Sequence, residues 1–270
     1  MRDIKLVCTD IDGTIVRPDF TLSEDVKACI KKLDNMGIKV VLVSGRMPAA
    51  MSYVAEELEL DHPISSYQGA LITHNEDILY KKCLDSKIAK EVIDWASDNG
   101  VHLNVYLGDD IYVEEDNPTI RKYTGEMKVK YFVKSLKEVE LEGVCKILAI
   151  DFDDEDKVSS WKEYLKKKYP ETYIVKSTPY FCEVCSGEAS KGAAVDYLIE
   201  HYGIERENVL TIGDQNNDLE LIEAGGVSVA MGNATDELKK LADHVTDTVQ
   251  NDGFVRAIEK FVKGYDEARL

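Results

Sequence analysis

The 270-residue sequence lacks any apolar run of the roughly 18 residues that a membrane-spanning helix needs. Its first residues, Met1 to Lys5, also lack the apolar segment of a secretory signal peptide. Positive charge is scarce, because 33 Lys and Arg stand against 51 Asp and Glu, for a formal net charge of -18. Such a charge repels nucleic-acid phosphates and anionic lipid surfaces. We expect a cytoplasmic protein that binds neither nucleic acid nor membrane, as a monomer or a small homo-oligomer.

Cysteine and histidine are both sparse, with six and five residues. Most cysteines sit inside apolar patterns, which is typical of small buried side chains in a reducing compartment. Cys182 and Cys185 have the spacing of a redox pair, but on a strand this spacing directs the two sulfur atoms to opposite faces. The histidines supply neither matching zinc ligands nor the base of a Ser-His or Cys-His pair. Redox, zinc and neutral-hydrolase functions are therefore disfavoured.

The chain does contain an informative stretch near its N-terminus, Leu6 to Thr14, which reads LVCTDIDGT. Its apolar start indicates a buried strand, and Gly13 permits the tight turn that must follow. Asp10 and Asp12 then lie beyond the end of the strand, where their mutual repulsion calls for a nearby cation. The alternatives are an acidic turn that caps the next segment, or a calcium loop. The calcium loop lacks the glycine and the glutamate that it needs at its sixth and twelfth positions.

Strands and helices alternate in the first 80 residues and again after Ser190. A capping box of Thr21 and Glu24 is expected to begin the first helix, and Pro48 the second. A hairpin near residues 70–81 leads out of this part. The segment that follows has clustered strands without regular alternation, which indicates a separate α+β unit. There we predict helices at 86–99 and 157–169, with strands near 101–107, 111–114, 129–133, 144–152, 173–176 and 180–185.

These patterns indicate an α/β fold with a doubly wound parallel sheet, interrupted by the inserted unit. We expect a core domain built from residues 1–83 and 187–270 and an inserted α+β domain at 84–186. At 270 residues the chain is long enough for two domains.

Polar residues follow the predicted strands or begin helices at four places in the alternating part. They are Asp10 with Asp12, Ser44, Lys191, and Asp214 with Asn217 and Asp218. Since parallel strands bring their carboxyl ends to one edge of a sheet, these residues can converge. Carboxylates without histidine, together with a lysine and a hydroxyl, suit a hard divalent cation and a phosphate group.

At these same places the chain resembles the haloacid dehalogenase-like superfamily of phosphatases, and within it the Cof-type subfamily with a large type II cap. The four motifs of that superfamily are matched in order by Asp10-Ile11-Asp12-Gly13-Thr14, by Ser44 in Val43-Ser44-Gly45-Arg46, by Lys191 in Ser190-Lys191-Gly192, and by Gly213-Asp214 with Asn217-Asp218. The resemblance implies a Rossmann-like core with the α+β unit inserted between the second and third motifs as a cap.

The resemblance also implies a mechanism. Asp10 would attack phosphorus to give an aspartyl-phosphate intermediate, and Asp12 would protonate the leaving oxygen and then activate water. Mg²⁺ would be held by Asp10, by the backbone carbonyl of Asp12 and by Asp214. The expected activity is hydrolysis of a small phosphorylated metabolite, such as a sugar phosphate or a nucleotide-like phosphate.

The remaining motif residues would act around the phosphoryl group. Lys191 and the Ser44 hydroxyl would hold its oxygens, and Asn217 would donate to it. Asp218 would orient Lys191 or the metal-bound waters rather than bind the metal. Taken singly, Ser44 is also a plausible turn residue, Lys191 a solvated lysine and Asp218 an acid at the start of a helix.

Other residues and functions stay open at this point. Arg46 could neutralise substrate or form a salt bridge, and Gln68 stands where similar phosphatases carry asparagine. Glu183 and Tyr180 could face the substrate, although ordinary strand positions are favoured. A phosphosugar mutase or another phosphotransferase is the main alternative function. A dehalogenase is less favoured, because halide needs no proton from Asp12, and an inactive phosphate-binding protein is the third alternative.

Overall fold

The computed structural model describes residues 1–127 and 129–268. Within them lie fourteen strands, namely β1 (Leu6–Thr9), β2 (Lys39–Val43), β3 (Ile64–Ser66), β4 (Leu71–His74), β5 (Asp77–Lys81), β6 (His102–Leu107), β7 (Asp110–Val113), β8 (Phe132–Val133), β9 (Val144–Ile150), β10 (Thr172–Thr178), β11 (Phe181–Ser186), β12 (Val209–Gly213), β13 (Val227–Ala230) and β14 (His244–Val245). The same residues form nine α-helices, namely α1 (Glu24–Asn35), α2 (Pro48–Glu57), α3 (Ser86–Asn99), α4 (Pro118–Met127), α5 (Glu155–Lys168), α6 (Lys191–Tyr202), α7 (Leu219–Ala224), α8 (Asp236–Leu241) and α9 (Gly253–Phe261).

The first sheet is a doubly wound sheet of eight strands in the order β14-β13-β12-β1-β2-β3-β4-β5. Its strands run parallel from β14 to β3, and the hairpin of β4 and β5 adds two antiparallel strands at one edge. Strand β1 is buried on both faces: Val7 packs with α1 and α9, whereas Leu6 and Cys8 pack with α6. The α/β fold class predicted from the alternating pattern is confirmed.

Several local details differ from the expectation. The strand predicted near 129–133 is shortened to the two residues of β8, Phe132–Val133. Helix α1 is capped by Ser23, whose hydroxyl accepts a hydrogen bond from the Val26 N–H at 3.2 Å. The capping box of Thr21 and Glu24 was therefore wrong, because Ser23 stands in extended backbone directly before the first helical residue and reaches that N–H itself. Strand β3 was not predicted, since it is only three residues long.

The second sheet contains six strands in the order β10-β11-β9-β6-β7-β8, and all of its pairs except β7 with β8 are antiparallel. One face packs against α3 and α5. The other face packs against residues that precede it in the chain, including Met47 and Tyr67. The inserted segment thus lies with one face of its sheet toward the parts of the chain that carry the predicted motifs.

Cys182 and Cys185 lie in two different apolar clusters, on opposite faces of the second sheet, as their spacing on a strand predicted. Five of the six cysteines are buried, and Cys83 is exposed. None of the helices in residues 1–127 and 129–268 combines the length and the apolar character needed to cross a bilayer.

Candidate active site

Three neighbouring parallel strands bring separate parts of the chain to one edge of the first sheet. Asp10 directly follows β1, Asp214 follows β12 and Ser44 follows β2. Because β12, β1 and β2 are adjacent and parallel, their carboxyl ends lie side by side. Gly13 makes the turn after β1 with φ +78°, and a Cβ at this position would collide with the Asp214 carboxylate.

Lys191 joins this edge from the first turn of α6. Its side chain is completely buried, with Nζ 2.5 Å from Oδ1 of Asp10 and 2.6 Å from Oδ1 of Asp218. The second oxygen of Asp218 accepts the backbone N–H groups of Asp214 and Gln215 at 2.9 and 3.0 Å. Both oxygens of Asp218 are therefore engaged within the protein, and this residue ties Lys191 to the loop after β12.

Asp10, Asp214 and Asp218 each have a carboxylate oxygen within 4.8 Å of the other two. The side chains that donate hydrogen bonds to Asp214 are all neutral, namely Thr14 at 3.3 Å, Gln215 at 3.0 Å and Asn233 at 3.3 Å. An all-oxygen set of buried carboxylates fits a hard divalent cation. Since Asp218 is already engaged, Asp10 and Asp214 are the carboxylates best placed to bind one.

The pKa shifts within this cluster also favour a bound cation. Burial, together with the charges of Asp218 and Asp12, raises the pKa of Asp10 to about 7, although Lys191 opposes the shift. Burial and the charge of Asp10 also raise the pKa of Asp214 well above its usual range. Burial disfavours the charged ammonium of Lys191, but Asp10 and Asp218 outweigh it and raise its pKa. One lysine thus faces three carboxylates, and a bound cation would relieve the excess of negative charge.

Asp12 forms a salt bridge with Arg46, separate from the contacts of Lys191. Arg46 binds it with two hydrogen bonds, from Nε to Oδ2 at 2.8 Å and from Nη2 to Oδ1 at 2.6 Å. The guanidinium also donates to the Ala50 carbonyl at 3.0 Å and to the Tyr53 hydroxyl at 2.9 Å. The Arg46 side chain is 5 % exposed, whereas that of Asp12 is 49 % exposed. A fixed guanidinium therefore holds both oxygens of a carboxylate that solvent and ligands can reach.

Ser44 and Asn217 lie on either side of Gln68. The Ser44 hydroxyl accepts the Arg46 N–H at 3.2 Å, and its carbonyl accepts the Gln68 N–H at 3.0 Å. Asn217 donates from Nδ2 to Gln68 Oε1 at 3.2 Å. Its other amide atom, Oδ1, is buried and has no hydrogen-bond partner among the residues that the structure describes. A buried polar atom without a partner is costly, so this carbonyl oxygen is available to a bound group or a water molecule.

Gln68 connects this edge to the second sheet. It adopts a left-handed backbone conformation, with φ +57°, and its Nε2 donates to Oε1 of Glu183 on β11 at 3.2 Å. A carboxylate only accepts hydrogen bonds, so this contact also fixes which end of the Gln68 amide carries the NH₂ group. The neighbouring Gly69 has φ +90°, and a Cβ there would collide with the Ser190 carbonyl at the start of α6.

A buried ion pair completes this connection. Lys146 on β9 lies 3.1 Å from Oε2 of Glu183, and the two side chains are 3 % and 4 % exposed. Lys146 also donates to the Gly45 carbonyl at 2.6 Å, next to Ser44. Burial disfavours the charged Lys146, but the charge of Glu183 outweighs it and raises the pKa of the lysine. The second sheet thus contributes a charged pair to the boundary of the site.

A cavity of about 750 Å³ lies between the two sheets and opens onto these residues. Its wall includes Asp10, Asp12, Ser44, Asp214 and Asn217 from the first part of the fold. From the second sheet and its neighbours come Lys146, Glu183 and a group of aromatic side chains. Lys191 is fully buried and is not among the described residues that line the cavity.

The structure therefore brings together all the residues that the motifs singled out, around Asp10. Their catalytic and binding roles stay predictions. Five residues were left open or not singled out, namely Arg46, Gln68, Glu183, Tyr180 and Asn233. Arg46 binds Asp12, Gln68 links Asn217 to Glu183, and Asn233 donates to the Gly13 carbonyl and to Asp214. Glu183 and Tyr180 face the cavity, contrary to the preference for ordinary strand positions. The position of Asn233, three residues after the end of β13, was the signal that could have identified it.

Comparison with known proteins is consistent with this geometry. The sequence pattern of the family described as haloacid dehalogenase-like hydrolase matches residues 7–258. A Bacillus subtilis 5-amino-6-(5-phospho-D-ribitylamino)uracil phosphatase, YitU, is 29 % identical, with 95 % of this chain and 97 % of that protein aligned. The B. subtilis phosphatase YwpJ is 27 % identical over 93 % of this chain and 97 % of its own. A crystal structure of a haloacid dehalogenase-like hydrolase from Bacteroides thetaiotaomicron matches with a TM-score of 0.84 and 30 % identity, covering 95 % of this chain and 99 % of that one.

Proposed function

Because the chain belongs to the family of haloacid dehalogenase-like hydrolases, we propose that it is a Mg²⁺-dependent phosphatase that acts through an aspartyl-phosphate intermediate. The observation that carries this proposal is the meeting of Asp10, Asp214 and Lys191, from three distant segments, at the edge of one cavity. The substrate class is small phosphorylated metabolites, which the cavity of about 750 Å³ accommodates and which the uracil-derived substrate named for YitU exemplifies.

The metal would be held by Asp10, by the backbone carbonyl of Asp12 and by Asp214, which are oxygen donors of the kind that Mg²⁺ prefers. When bound, it would offset the negative charge of the carboxylates and of the phosphoryl group. Asp218 stays outside this set, because Lys191 and two backbone N–H groups already use its oxygens.

The covalent steps belong to Asp10. A carboxylate oxygen of Asp10 forms the bond to phosphorus while the bond to the leaving oxygen breaks. Lys191 fixes the rotation of the Asp10 carboxylate from the buried side, through the 2.5 Å contact. Water then attacks the same phosphorus, which releases inorganic phosphate and restores the Asp10 carboxylate.

Asp12 moves the protons. It gives one proton to the leaving oxygen, which departs as an alcohol, and then takes one from the attacking water. Arg46 grips both oxygens of Asp12, so the first step requires Asp12 to give up one of these two hydrogen bonds in order to hold a proton. The partly exposed position of Asp12 at the cavity wall suits this exchange.

Ser44, Asn217 and Lys191 would receive the phosphoryl oxygens. Ser44 and Asn217 line the cavity. The Asn217 NH₂ group donates one N–H to Gln68, and its second N–H would be directed to the phosphoryl group. Lys191 uses two of its three N–H donors on Asp10 and Asp218, and the third would be directed to the phosphoryl group.

The inserted segment would act as a cap. We propose a core domain of residues 1–83 and 187–270 and a cap domain of residues 84–186. The contacts of Glu183 with Gln68 and of Lys146 with Gly45 hold the second sheet over the cavity. Such a cover keeps bulk water from the phosphoryl group until the alcohol has left.

Phosphate release tests this function. A panel of sugar phosphates and nucleoside monophosphates, together with p-nitrophenyl phosphate, would be incubated with the enzyme in Mg²⁺ or in EDTA. We expect release only with the metal, and a loss of more than about 10³-fold in Asp10→Asn, since the covalent step disappears. Asp98→Asn, at an exposed position on α3, is the matched control and should keep full activity. Turnover that survives in Asp10→Asn would overturn the proposal. An isomerised sugar phosphate without free phosphate would indicate a mutase instead.

A further inference from the structure

The inserted segment contributes an aromatic wall to the cavity. Phe181 packs edge-to-face with Tyr123 and with Phe152, at ring-centroid distances of 5.7 and 5.8 Å, and Tyr180 lies 6.2 Å from Phe152. All four rings line the cavity. A ligand held at Asp10 by its phosphoryl group would therefore meet aromatic surface at its other end.

Two aromatic side chains that line the cavity are exposed. Phe20, near the start of the chain, and Tyr180, beside β11, are each 40 % exposed. Both line the cavity, Phe20 from the first part of the fold and Tyr180 from the inserted segment. Exposed apolar surface at a cavity is typical of a ligand-binding groove.

Phe20 is also strained, and the cause is local. The Arg17 N–H donates to the Thr21 carbonyl, and the Phe20 N–H donates to the Arg17 carbonyl, so residues 17–21 form a tight hairpin turn. Phe20 fills the left-handed position of this turn, with φ +64°, where glycine is the usual residue. A bulky residue with positive φ costs stability and needs a reason. Packing does not provide it, since the ring is exposed.

We infer that Phe20 and Tyr180 hold a planar ring of the substrate's leaving group between the two walls of the cavity. This inference rests on the proposed function and narrows its substrate class to phosphate monoesters that carry a planar heterocycle. Lys122, whose Nζ lies 3.9 Å from the centroid of the Phe152 ring, also lines the cavity. Its ammonium suits ring substituents that are carbonyl oxygens or anions.

Matched pairs of substrates test the inference. Uridine 5′-monophosphate is compared with ribose 5-phosphate, and flavin mononucleotide with ribitol 5-phosphate, so that the members of each pair differ in the ring. We expect the ring-bearing ester to have the higher kcat/KM in at least one pair, by about tenfold, the usual scale of stacking on aromatic side chains. A ratio below about twofold in both pairs, less than stacking gives, would overturn the inference.

Substitutions then assign the effect to the two rings. The double variant Phe20→Leu with Tyr180→Leu keeps apolar volume but removes both rings. We expect the kcat/KM of the ring-bearing ester to fall to that of its ring-free partner. Tyr164→Leu removes a tyrosine of similar exposure on the outer face of α5 and should change nothing. Phe20→Gly relieves the strained backbone, so its Tm should stay the same or rise while the preference falls. A preference that survives in the double variant would refute the inference.

The same assay separates this inference from the function on which it rests. If the ring-free esters release phosphate and Asp10→Asn abolishes this release, the phosphatase function is supported, whether or not the enzyme prefers ring-bearing esters. If no ester releases phosphate, the proposed function fails, and this inference fails with it. If ring-free and ring-bearing esters react alike, only the inference fails.

Discussion

Replacing Asp214 with asparagine should stabilise the metal-free protein while it abolishes the response to metal. Asp214 is 2 % exposed, and its carboxylate lies within 4.8 Å of those of Asp10 and Asp218. Its hydrogen-bond donors are neutral, and asparagine can keep two of them and reverse the third. The amide oxygen accepts from Gln215 and Asn233, and the NH₂ group donates to the Thr14 hydroxyl, which accepts in place of donating. The substitution thus removes a buried charge without changing the shape of the site.

The magnitude follows from the distances. The carboxylate oxygens lie within 4.8 Å of one another, and two ionised carboxylates at that limit repel by about 3.5 kcal/mol at an effective dielectric constant of 20. Where both groups are ionised, removing one such repulsion should raise the free energy of unfolding of the metal-free protein by about that amount. For a chain of this length, 1 kcal/mol corresponds to about 2 °C in Tm, so we expect a rise of up to about 7 °C.

The pH dependence has a definite sign. Burial and nearby charges raise the pKa of Asp10 in the folded protein from 3.8 to about 7. Between these two values the folded state holds a proton that the unfolded state has released, so the metal-free protein loses stability as pH rises, by about 1.4 kcal/mol per unit at most. Asp214 shifts in the same direction. Mg²⁺ competes with these protons, and it should raise the Tm of the wild type more at pH 8 than at pH 6.

Thermal unfolding in EDTA and in Mg²⁺, at both pH values, measures these effects. Asp214→Asn should unfold at a higher temperature than the wild type in EDTA at pH 8 and should show no further rise with Mg²⁺. Asp98→Asn, as the control, should follow the wild type in all four conditions. If Asp214→Asn is less stable than the wild type in EDTA, repulsion among the carboxylates does not destabilise the metal-free protein. If Mg²⁺ stabilises the variant as much as the wild type, Asp214 does not bind the metal.

Three further substitutions examine the contacts around the site. Arg46→Lys replaces the bidentate salt bridge to Asp12 with a single ammonium, and steady-state kinetics should show that kcat falls by about 10- to 100-fold. An unchanged kcat would contradict a role of this salt bridge in catalysis. Asp218→Asn removes a charged partner of the buried Lys191, and urea unfolding should show that the free energy of unfolding falls by about 1.5–3 kcal/mol. An unchanged free energy of unfolding would contradict the role of Asp218 in holding Lys191. Glu183→Gln leaves the buried Lys146 without its charged partner, and we expect the free energy of unfolding to fall by about 3–5 kcal/mol. Adding Lys146→Met should largely restore this stability. A single variant as stable as the wild type would argue against the ion pair.

The convergence of the motif residues could be predicted because it depends on topology alone. Alternating strands and helices imply a parallel sheet, and a parallel sheet brings Asp10, Ser44 and Asp214 to the same edge wherever they stand in the chain. Lys191 could be included because it begins a helix that returns to that sheet. The apolar periodicity of residues 86–99 likewise predicted α3 with its observed bounds.

The contacts between the two sheets could not be predicted, because they depend on registers and loop directions that the sequence does not encode locally. Lys146 and Glu183 lie on neighbouring strands, but their pairing requires the register of β9 against β11. The direction of Arg46 is set by the loop after β2, whose backbone is held by contacts with Gln68 and Tyr67. The strained turn at Phe20 leaves no sequence signal, since glycine is the residue expected there.

The phosphorylated Asp10 intermediate, on which the proposed phosphatase depends, can be detected by mass spectrometry. Asp12→Asn should slow the attack of water, so that Asp10 stays phosphorylated when the variant is mixed with Mg²⁺ and p-nitrophenyl phosphate, whose leaving group departs without a proton, and is quenched in acid. The peptide containing Asp10 should gain the mass of one phosphoryl group, and this gain should be absent from Asp10→Asn. A phosphoryl group on any other residue, or turnover by the wild type with no label on Asp10 in either protein, would contradict it.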